Sequence, residues 1–415
     1  MKMKYVCPFC FESHDIGDVE FACESRKICG PVDANGNITN PGQGENDPKL
    51  AKYKGVQSYT GPHVFRRMKN NKEQRSRFSM PASATCDWCH RESHKRVCPS
   101  CHNDLPSTID SDEQIIVALI GTRGSGKSTY IGVLIHEMMK RIFRPFDGTF
   151  QLYGPEDQTQ YRDRFEQNLY IDHRPLDQTQ SHLAGNQISE NRPILGMLRK
   201  QSGGLFKKMQ AMTLVFFDSA GEDWDDPETV NVVANYVAHS SGLIFLLDPL
   251  ANSVIRSQIA NDEAIRTSSV AAEGDVSAPT VVLNEVATLI RNANGLRETD
   301  TIDIPVAVAF SKLDVLEDNG ILPQGSALAK PSPHVLAGKF DDADRKAVDA
   351  EMRSLLDTWN QGDFVDSLGQ QYSKASCFAF SAMGRAPQQD GTIAPPAPKR
   401  IEDAMLWILQ ENGIL

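Results

Sequence analysis

Residues 115–130 read IIVALIGTRGSGKSTY, an apolar run that passes directly into glycines, a lysine and two hydroxyl side chains. The first part, Ile115–Ile120, is short, continuous and rich in branched residues, which predicts a buried parallel strand. Gly121–Ser128 then matches G-x-x-x-x-G-K-[ST] at every fixed position. Backbone N–H groups of such a loop can surround a β-phosphate, while the lysine reaches the β/γ oxygens and the final hydroxyl ligates Mg²⁺.

The residues that follow the glycine-rich loop predict a helix. Tyr130–Phe143 (YIGVLIHEMMKRIF) carries apolar residues at helical spacing, so the helix N-terminus would face the phosphates. Strand, loop and helix in this order are the context that the motif requires. The sequence therefore predicts a chain that binds a nucleoside triphosphate or descends from one that did.

Length and composition are those of an ordinary globular protein with more than one domain. The 415 residues allow two or three domains at about 100–200 residues each. Hydrophobic residues make up 40% and charged residues 23%, and apolar runs such as Gly242–Leu247 are far too short to cross a membrane. The opening residues MKMKYVCPFC lack the apolar core of a secretion signal, which predicts a cytoplasmic protein.

Charge is distributed unevenly along the chain. The formal net charge is −11, yet residues 1–108 contain 16 Lys or Arg against 12 Asp or Glu. A basic front and an acidic body predict two domains with different partners, although an uneven surface alone would give the same numbers. We therefore expect a cysteine-rich domain at 1–108 and a nucleotide-binding domain at 109–415.

Eight of the nine cysteines precede residue 102, in a pattern typical of zinc sites. Three pairs have C-x₂-C spacing (CPFC, CDWC and CPSC), which can place two thiolates on one tetrahedral ion at about 2.3 Å. In a cytoplasmic chain this pattern indicates metal rather than disulfides, and four thiolates close a site to substrate, so two structural ions are expected. The candidate ligands are Cys7, Cys10, Cys23, Cys29, Cys86, Cys89, Cys98 and Cys101.

The sequence leaves open how these thiols divide between two ions. The compact C-x₂-C-x₈-C-x₂-C spacing favours one site from the four cysteines of 86–101 and a second from the four of 7–29. Alternatively, the outer pairs CPFC and CPSC share one ion, and the inner four cysteines share the other. Three histidines also lie among the thiols and could replace one of them: His90, His94 and His102.

A basic stretch lies between the cysteine groups. Residues 30–85 are rich in Gly, Asn and Pro and then become basic, with His63–Arg77 reading HVFRRMKNNKEQRSR. Basic residues with an occasional aromatic can bind nucleic acid. Because the stretch is short and has no stacked aromatic pattern, a solvated loop or a protein-docking surface is favoured. Zinc ribbons serve both kinds of partner, so the fold does not decide between them.

A second nucleotide motif follows the glycine-rich loop. Met212–Asp223 reads MTLVFFDSAGED, an apolar strand that ends in Asp218. A carboxylate at that strand end can hold Mg²⁺ through water, and Gly221 completes D-x-x-G. The glycine lets a backbone N–H approach a γ-phosphate, so that the loop can sense whether the phosphate is present.

A third motif predicts the base. Ile304–Asp314 (IPVAVAFSKLD) is a strand followed by S-K-x-D. The Asp314 carboxylate can accept from N1–H and N2–H₂ of guanine, whereas adenine presents an acceptor at N1 and would leave the carboxylate unpaired. The Lys312 stem would lie along the base plane, and Phe378–Gly384 (FAFSAMG) offers backbone contacts to the guanine oxygen. In this order, each after an apolar strand, the motifs favour GTP.

The remaining pattern predicts further elements of an α/β domain. Arg192–Arg199 and Ala211–Phe217 predict a hairpin. Amphipathic helices are predicted at Pro279–Asn292, Asp341–Trp359 and Arg400–Gln410. We expect insertions near 148–190 and 317–340, where the sequence adds residues around the motifs.

The segments GTRGSGKST, DSAGED, SKLD and SAM resemble the P-loop, D-x-x-G, [NT]-K-x-D and S-A-[KL] motifs of Ras-like (TRAFAC-class) GTPases. The resemblance covers roughly residues 112–415. It implies the P-loop NTPase fold, an α/β domain with a doubly wound, mostly parallel sheet, here preceded by a small zinc-ribbon domain. The ribbon-to-P-loop junction, VCPSCHNDLP, is similar to bacterial zinc-ribbon GTPases of the double-GTPase type, which are associated with conflict or defence systems.

This resemblance implies a role for each matching residue. The phosphates would be held by Gly121, Thr122, Arg123, Gly124, Ser125, Gly126, Lys127, Ser128 and Thr129, with Asp218 and Gly221. The catalytic residues would be Lys127, Thr179, Gly221 and Glu222. Mg²⁺ would be served by Ser128 and Asp218, and guanine would be read by Lys312, Asp314, Ser381 and Ala382. The Arg123 side chain could act as an internal arginine finger or could point to solvent.

Three departures from the family pattern affect these roles. Ser311 stands where Asn or Thr is usual, which weakens the ties of its loop to the P-loop. Glu222 stands where many members carry the Gln that orients water, so it could act as a base or leave hydrolysis slow. The long interval between the first two motifs contains an extra strand and helix across Gly148–Tyr170. The switch threonine is therefore assigned to Thr179, with Thr149 as the alternative.

The leading hypothesis is a GTP-binding and GTP-hydrolysing molecular switch with Mg²⁺ and two structural Zn²⁺ ions, whose zinc-bearing front docks a protein partner. The alternative is an interaction or nucleic-acid-binding module whose nucleotide is structural or barely hydrolysed. An ATPase or a P-loop kinase is disfavoured, because the carboxylate of Asp314 matches guanine and not adenine.

Overall fold

The computed structural model of this chain divides into two compact units, Met1–Gln114 with His182–Pro193, and Ile115–Ser181 with Ile194–Leu415. The residues that the structure describes are 4–25, 27–33, 35, 37–69, 72–73, 79–121, 124–176, 192–201, 209–217, 234–259, 279–386 and 392–415. The division into a zinc-ribbon domain at 1–108 and a GTPase domain at 109–415, with its two insertions, stays a prediction.

Short strands dominate the first unit. They are β1 (Lys4–Val6), β2 (Ser13–Asp15), β3 (Glu20–Ala22), β4 (Glu45–Asn46), β5 (Thr60–Gly61), β6 (Val64–Phe65), β7 (Met68–Lys69), β8 (Lys72–Glu73), β9 (Ala84–Thr85), β10 (Glu92–Ser93) and β11 (Arg96–Val97). Strand β3 lies between β11 and β6 in a three-stranded sheet, and the other eight strands form two-stranded pairs. Strands this short cannot hold a fold by their own ladders, so other interactions must fix this unit.

The α-helix α1 (Pro48–Lys54) interrupts these strands, and its sequence explains both ends. The Asp47 carboxylate accepts a hydrogen bond from the Leu50 N–H at 2.9 Å, and proline follows at the first helical position. Gly55 ends the helix with φ of 64°, a left-handed conformation that favours glycine.

The predicted basic surface at His63–Arg77 lies partly outside the described residues. Of the part that is described, His63 is buried between the carboxylates of Glu45 and Asp87, with ring nitrogens 2.6 and 2.7 Å from their oxygens. Arg66 donates to the carboxylate of Glu20 at 2.8 Å. These two side chains are therefore engaged within the unit, which weakens the case for a nucleic-acid surface here.

A seven-stranded sheet forms the centre of the second unit. Its strands are β12 (Glu113–Gly121), β13 (Gly148–Leu152), β14 (Ile194–Gln201), β15 (Met209–Phe217), β16 (Gly242–Leu247), β17 (Val306–Phe310) and β18 (Ala375–Ala379). They are ordered β13-β14-β15-β12-β16-β17-β18. Strands β12, β16, β17 and β18 pair in parallel, whereas β13, β14 and β15 pair antiparallel. The unit is therefore a mixed α/β structure.

The hydrophobic pattern explains the centre of this sheet. Every residue of β16 and β17 is buried, as are Ile115–Gly121 of β12. Continuous apolar runs of this length are typical of parallel strands that are covered on both faces. The predicted strands at Ile115–Ile120 and Gly242–Leu247 and the hairpin of β14 with β15 are confirmed.

Helices surround the sheet. They are α2 (Lys127–Glu137), α3 (Pro155–Tyr161), α4 (Ser253–Gln258), α5 (Pro279–Asn294), α6 (Leu313–Asp318), α7 (His334–Ala337), α8 (Asp342–Thr358), α9 (Gly362–Gln371) and α10 (Asp403–Glu411). Two of them continue as π-helical segments, α2 into Met138–Ile142 and α3 into Arg162–Ile171. Among the described residues, no helix has the length and apolarity needed to cross a bilayer.

The predicted helices are present with shifted ends. Helix α2 begins at Lys127 and not at Tyr130, because Gly126 before it adopts a left-handed conformation and starts the first turn. Helix α8 begins one residue later than predicted, because Asp341 is its N-cap and accepts from the Ala343 N–H at 3.0 Å. Helices α4, α6, α7 and α9 were not predicted from the sequence.

Helix α2 is held against the π-helical segment after α3 by close packing. The Phe165 ring lies where a Cβ at Gly132 would come within 2.7 Å of it, so only glycine fits at this contact. Beside it, Tyr161 donates a hydrogen bond to the Gly132 carbonyl at 3.2 Å. Helix α3 and its π-helical continuation thus support the helix that follows the glycine-rich loop.

Burial of His136 in α2 predicts acid sensitivity. The side chain stacks on Tyr170 with ring centroids 3.7 Å apart, and the residue is 4% exposed. Burial, helped by the charge of Lys140, lowers the pKa of His136 to about 4. Below about pH 6.5 the His136 imidazole is protonated in the unfolded chain but stays neutral in the folded chain. The free energy of unfolding therefore decreases as the pH falls towards 4.

We expect this histidine to remove about 2 kcal/mol of unfolding free energy between pH 7.5 and pH 5.0. Denaturant titrations at several pH values measure it, with His136→Gln expected to lose that part of the pH dependence. The matched control His239→Gln, a partly exposed histidine of the same unit, should keep it. Equal pH slopes for wild type and His136→Gln would show that this assignment is wrong.

Candidate metal centres and nucleotide site

All nine cysteines lie in the described part of the chain, and none is in a disulfide. Eight of them form two groups of four in which the sulfurs lie within 4.8 Å of one another. The first group contains Cys7, Cys10, Cys98 and Cys101, and the second contains Cys23, Cys29, Cys86 and Cys89.

The sulfur spacing in both groups matches a tetrahedral ion. Thiolates bound at about 2.3 Å to one zinc stand about 3.8 Å apart along the edges of the tetrahedron. The Sγ atoms of Cys7 and Cys101 are 3.8 Å apart, and those of Cys10 and Cys98 are 3.7 Å apart. In the second group the corresponding distances are 3.6 Å for Cys23 with Cys89 and 3.8 Å for Cys29 with Cys86. Either group could hold a zinc ion without rearrangement.

The prediction that the four cysteines of 86–101 form one site is wrong. The compact spacing joins these four cysteines, but the structure places two of them in each group. The alternative, in which the outer pairs share one site and the inner four share the other, is confirmed. The reason is the antiparallel pairing of β3 with β11, which sets Phe21 opposite Arg96 and Glu20 opposite Val97. Cysteines that follow these two strands consequently lie at opposite ends of the pair.

The three C-x₂-C pairs adopt one shared turn. In each, the N–H of the residue after the second cysteine donates to the carbonyl of the first cysteine: Phe11 to Cys7 at 2.9 Å, His90 to Cys86 at 3.0 Å, and His102 to Cys98 at 2.9 Å. Those three residues have φ of 58°, 52° and 53°. The turn is left-handed at that position and aims both sulfurs at one point.

None of the three candidate histidines joins a thiol group among the described residues. The His102 ring lies between two buried carboxylates, with Nδ1 2.9 Å from Asp47 and Nε2 2.9 Å from Glu20. A histidine that was not predicted, His14, instead places its Nε2 3.4 Å from Cys98 Sγ. A hydrogen bond to a ligand sulfur tunes a metal site from outside the ligand set.

The thiols need a cation in order to ionise together. Burial raises the pKa of the Cys7 thiol well above its usual range, and hydrogen bonding with Cys101 raises the pKa of Cys10. Four thiolates this close repel one another in a medium of low dielectric. A bound Zn²⁺ reverses this, because coordination deprotonates the thiols outright. The chemistry of the donor set therefore fits the predicted structural zinc.

A cavity of about 180 Å³ adjoins the second cysteine group. It is lined by Cys23 and Cys29, by Trp88 and by His63, whose ring stacks on Trp88 at 3.7 Å. Pockets for cofactors and drug-sized ligands measure about 300–1,000 Å³, so this cavity is too small for a nucleotide. It takes no part in the nucleotide site described below.

Three glycines of the glycine-rich loop occupy positions that disfavour a side chain. Gly124 and Gly126 have φ of 77° and 85°, a conformation that L side chains rarely adopt. At Gly121, a Cβ would come within 2.6 Å of the Leu246 carbonyl oxygen. Helix α2 begins directly after the loop, so its N-terminal N–H groups face the same space.

The polar groups of this loop also fit an anionic ligand. Lys127 is 9% exposed and donates from Nζ to the Gly121 carbonyl at 2.8 Å, which folds its ammonium back over the loop. Ser125 is 1% exposed, and its hydroxyl has no hydrogen-bond partner among the described residues. A buried orphan hydroxyl is costly unless a ligand or water completes it.

The predicted base-reading segment follows β17. The Ser311 N–H and hydroxyl both donate to the Leu247 carbonyl, at 3.0 and 3.2 Å. Lys312 has φ of 54° and pairs with Asp248, and Asp314 lies 8% exposed in the first turn of α6. The Leu313 N–H donates to the Phe380 carbonyl at 3.0 Å, which joins this loop to the end of β18.

The loop after β18 lies beside the S-K-x-D loop. Ser381 is 1% exposed and exchanges two backbone hydrogen bonds with Lys399, at 3.0 and 2.9 Å. Its hydroxyl accepts from the Gly384 N–H at 2.7 Å, and Ala382 beside it is buried. The loops after β12, β16, β17 and β18 therefore share the carboxyl edge of the parallel strands, where ligands of such sheets bind.

Several predicted site residues lie outside the described part of the chain: Thr122, Arg123, Thr179, Asp218, Gly221 and Glu222. Strand β15 ends at Phe217, directly before the predicted magnesium carboxylate. The alternative switch residue, Thr149, is exposed within β13, opposite Arg199 of β14. It thus lies in a regular strand and not in a loop.

One residue of this edge was missed by the sequence analysis. Asp248 directly follows the buried strand β16, as Asp218 follows β15. The sequence could have identified it, because an acidic residue directly after an apolar strand indicates a site residue. The Asp248 carboxylate is 10% exposed and lies 2.6 Å from the Lys312 ammonium.

Comparison with known proteins gives three findings. No protein-family model matches the chain. The chain is similar to SaeC of Mycolicibacterium smegmatis, described as a candidate ESX-1 scaffolding and assembly protein, at 26% identity over 333 residues that cover 77% of this chain and 80% of SaeC. Among solved structures it is similar to the GTP-bound GTPase-like domain of Ski7 from S. cerevisiae, with a TM-score of 0.30 and 9% identity. That match covers 73% of this chain and 51% of the Ski7 chain, so this protein spans about half of it.

Proposed function

We propose that this protein is a GTP-binding and GTP-hydrolysing switch with an α/β P-loop domain, whose zinc-bearing first unit docks a protein partner in the cytoplasm. The observation that supports this most is the meeting of the glycine-rich loop with the S-K-x-D and Ser-Ala loops at one strand edge. Three weak sequence signals that converge at one edge of a sheet carry more weight than any of them alone.

Within this proposal the residues divide by task. Gly121–Thr129 would hold the phosphates, with Lys127 supplying positive charge. Ser128 and Asp218 would hold Mg²⁺, which neutralises charge on the β- and γ-phosphates when bound. Thr179 and Gly221 would sense the γ-phosphate, and Glu222 would face the attacking water.

The buried carboxylate of Asp314 would select guanine, with Lys312, Ser381 and Ala382 completing the base pocket. Leaving a carboxylate that is 8% exposed without a hydrogen-bond donor costs binding free energy. Asp314 would therefore discriminate against a base that offers an acceptor in the same position. The two tetra-cysteine groups would each hold a structural Zn²⁺, and four thiolate ligands leave no open position for catalysis.

A second function is favoured by one specific observation, the similarity to a protein named for scaffolding and assembly. In this version the nucleotide is structural or barely hydrolysed, and the zinc-bearing unit carries the recognition of partners. Assembly of a protein complex is compatible with both versions. A role in conflict or defence systems stays a prediction from the resemblance.

Calorimetric titration with GTP, GDP and ATP in the presence of Mg²⁺ tests the base assignment. Wild-type protein should bind guanine nucleotides at least about tenfold more tightly than ATP, and Asp314→Ala should lose that preference. The control Asp318→Ala removes an exposed carboxylate from the other end of α6 and should leave the preference intact.

Equal affinity for ATP and GTP in wild type would overturn the guanine assignment. Phosphate release measured on the same samples separates the two versions of the function. Turnover supports the switch, whereas tight GTP binding without turnover supports the scaffold.

A further inference from the structure

The S-K-x-D loop is held by the end of β16. The Leu247 carbonyl accepts two hydrogen bonds from Ser311, one from the N–H at 3.0 Å and one from the hydroxyl at 3.2 Å. Ser311 is 2% exposed, so both bonds are shielded from water. The short serine side chain thus fastens this loop to the neighbouring strand.

Asp248 is the first residue after β16, and its two carboxylate oxygens accept hydrogen bonds from different groups. Oδ1 accepts from the Leu250 N–H at 2.9 Å and caps the 3₁₀ turn Pro249–Ala251. Oδ2 accepts from the Lys312 ammonium at 2.6 Å. The carboxylate is 10% exposed and the lysine 33%, so the pair is anchored on the aspartate side.

The backbone at Lys312 needs such an anchor. Its φ of 54° and ψ of 39° place a non-glycine residue in the left-handed region, which is unfavourable for L-residues. Strained residues persist where their surroundings over-determine them, and they concentrate at ligand sites. Here the surroundings are the Ser311 bonds before it, the bond from the Leu313 N–H to Phe380 after it, and Asp248 at the tip of its side chain.

We propose that Asp248 is a positioning residue of the guanine pocket, which holds the ammonium of Lys312 so that its stem lies along the base. This inference rests on the proposed function. It divides the work at the pocket between two carboxylates: Asp314 selects the base, and Asp248 sets how tightly any guanine nucleotide is held. Because the ion pair lies at the base and not at the phosphates, GDP and GTP are affected alike.

An ordinary surface ion pair would have no such effect, since exposed pairs contribute little. The nine-tenths buried carboxylate and the strained lysine backbone distinguish this pair. Asp248 also caps the turn after β16, and this structural role can be tested separately from its pairing with Lys312. Asparagine keeps an oxygen for the Leu250 N–H and loses the charge that holds the lysine.

The test is a double-mutant cycle on the full-length, zinc-loaded protein, with a fluorescent GDP analogue as the probe and GTP and ATP as competitors. Asp248→Asn is expected to weaken binding of GDP and GTP about tenfold while the ratio of GTP to ATP affinity stays as in wild type. In the Lys312→Ala background the same substitution should cause no further loss. Asp341→Asn, which changes the aspartate that caps α8, is the matched control and should bind as wild type does. Thermal unfolding of each variant checks that the fold is intact.

The outcomes separate this inference from the function beneath it. If Asp248→Asn weakens binding as much without Lys312 as with it, the aspartate does not act through the lysine and the inference is overturned. Unchanged GDP affinity in Asp248→Asn, with guanine preference present in wild type, overturns the inference alone. A wild-type protein without guanine preference overturns the proposed function and the inference with it.

Discussion

Zinc-loaded protein is expected to contain two ions per chain, and the double substitution Cys7→Ala/Cys98→Ala is expected to remove one of them. Both cysteines belong to the first group, so their loss destroys one site and leaves the other complete. The measurement is zinc content per chain after gel filtration. A second double variant, Cys7→Ala/Cys23→Ala, takes one ligand from each group and should lose both ions.

These two variants distinguish the pairings directly, because they give opposite results if the cysteines pair in sequence order. In that case Cys7 and Cys23 share an ion, and their joint loss removes one ion while Cys7→Ala/Cys98→Ala removes two. Cys377→Ala is the control, since that thiol is buried in β18 outside both groups and its loss should leave both ions in place.

The effect on folding should be large. Structural zinc binds zinc-finger peptides with about 10–16 kcal/mol, and strands of two or three residues cannot replace that energy. Chelation is therefore expected to unfold the first unit, seen as loss of protection from hydrogen exchange at residues such as Phe21 and Val97. Protection at these residues that survives removal of zinc would show that the unit does not depend on metal.

Lys127→Ala is expected to weaken binding of GTP and GDP about 100-fold, the second large effect. A buried ammonium that reaches phosphate oxygens makes charge-assisted hydrogen bonds, each of which contributes about 1.5–3 kcal/mol. The measurement is calorimetric titration in Mg²⁺ buffer. Lys339→Ala removes the same charge from an exposed position after α7 and serves as the control.

Retention of nucleotide affinity in Lys127→Ala would contradict the phosphate role of the loop. It would also remove the basis for the proposed function, since Gly121–Thr129 would then be a turn without a ligand. A loss in Lys339→Ala as large as in Lys127→Ala would instead indicate a general effect of net charge.

The sequence predicts the sheet centre well because its signals are local. Gly242–Leu247 is bounded as predicted, since six consecutive apolar residues between polar ones admit one strand. The glycine-rich loop and its flanking elements are present for the same reason. Helix ends are less predictable, because they depend on single backbone conformations such as the left-handed Gly126 before α2.

The thiol grouping and the role of Asp248 depend on contacts between distant residues, which spacing does not reveal. The eight residues between Cys89 and Cys98 read as a short link within one site, yet they contain β10 and β11 and carry the chain from one site to the other. Asp248 and Lys312 are 64 positions apart and become neighbours only because β16 and β17 pair in parallel. Thr179 and the D-x-x-G residues lie outside the described residues, so their assigned roles stay predictions.

The grouping of the cysteines has a topological consequence. Along the chain, the four cysteines of the second group all lie between the two pairs of the first group, so the two sites are nested in sequence. With zinc bound at both groups, every backbone position between Cys29 and Cys86 would be spanned by two metal bridges. A protease that cuts the chain once in that interval would leave two fragments tied to each other at two points, and neither fragment would carry a complete centre of its own.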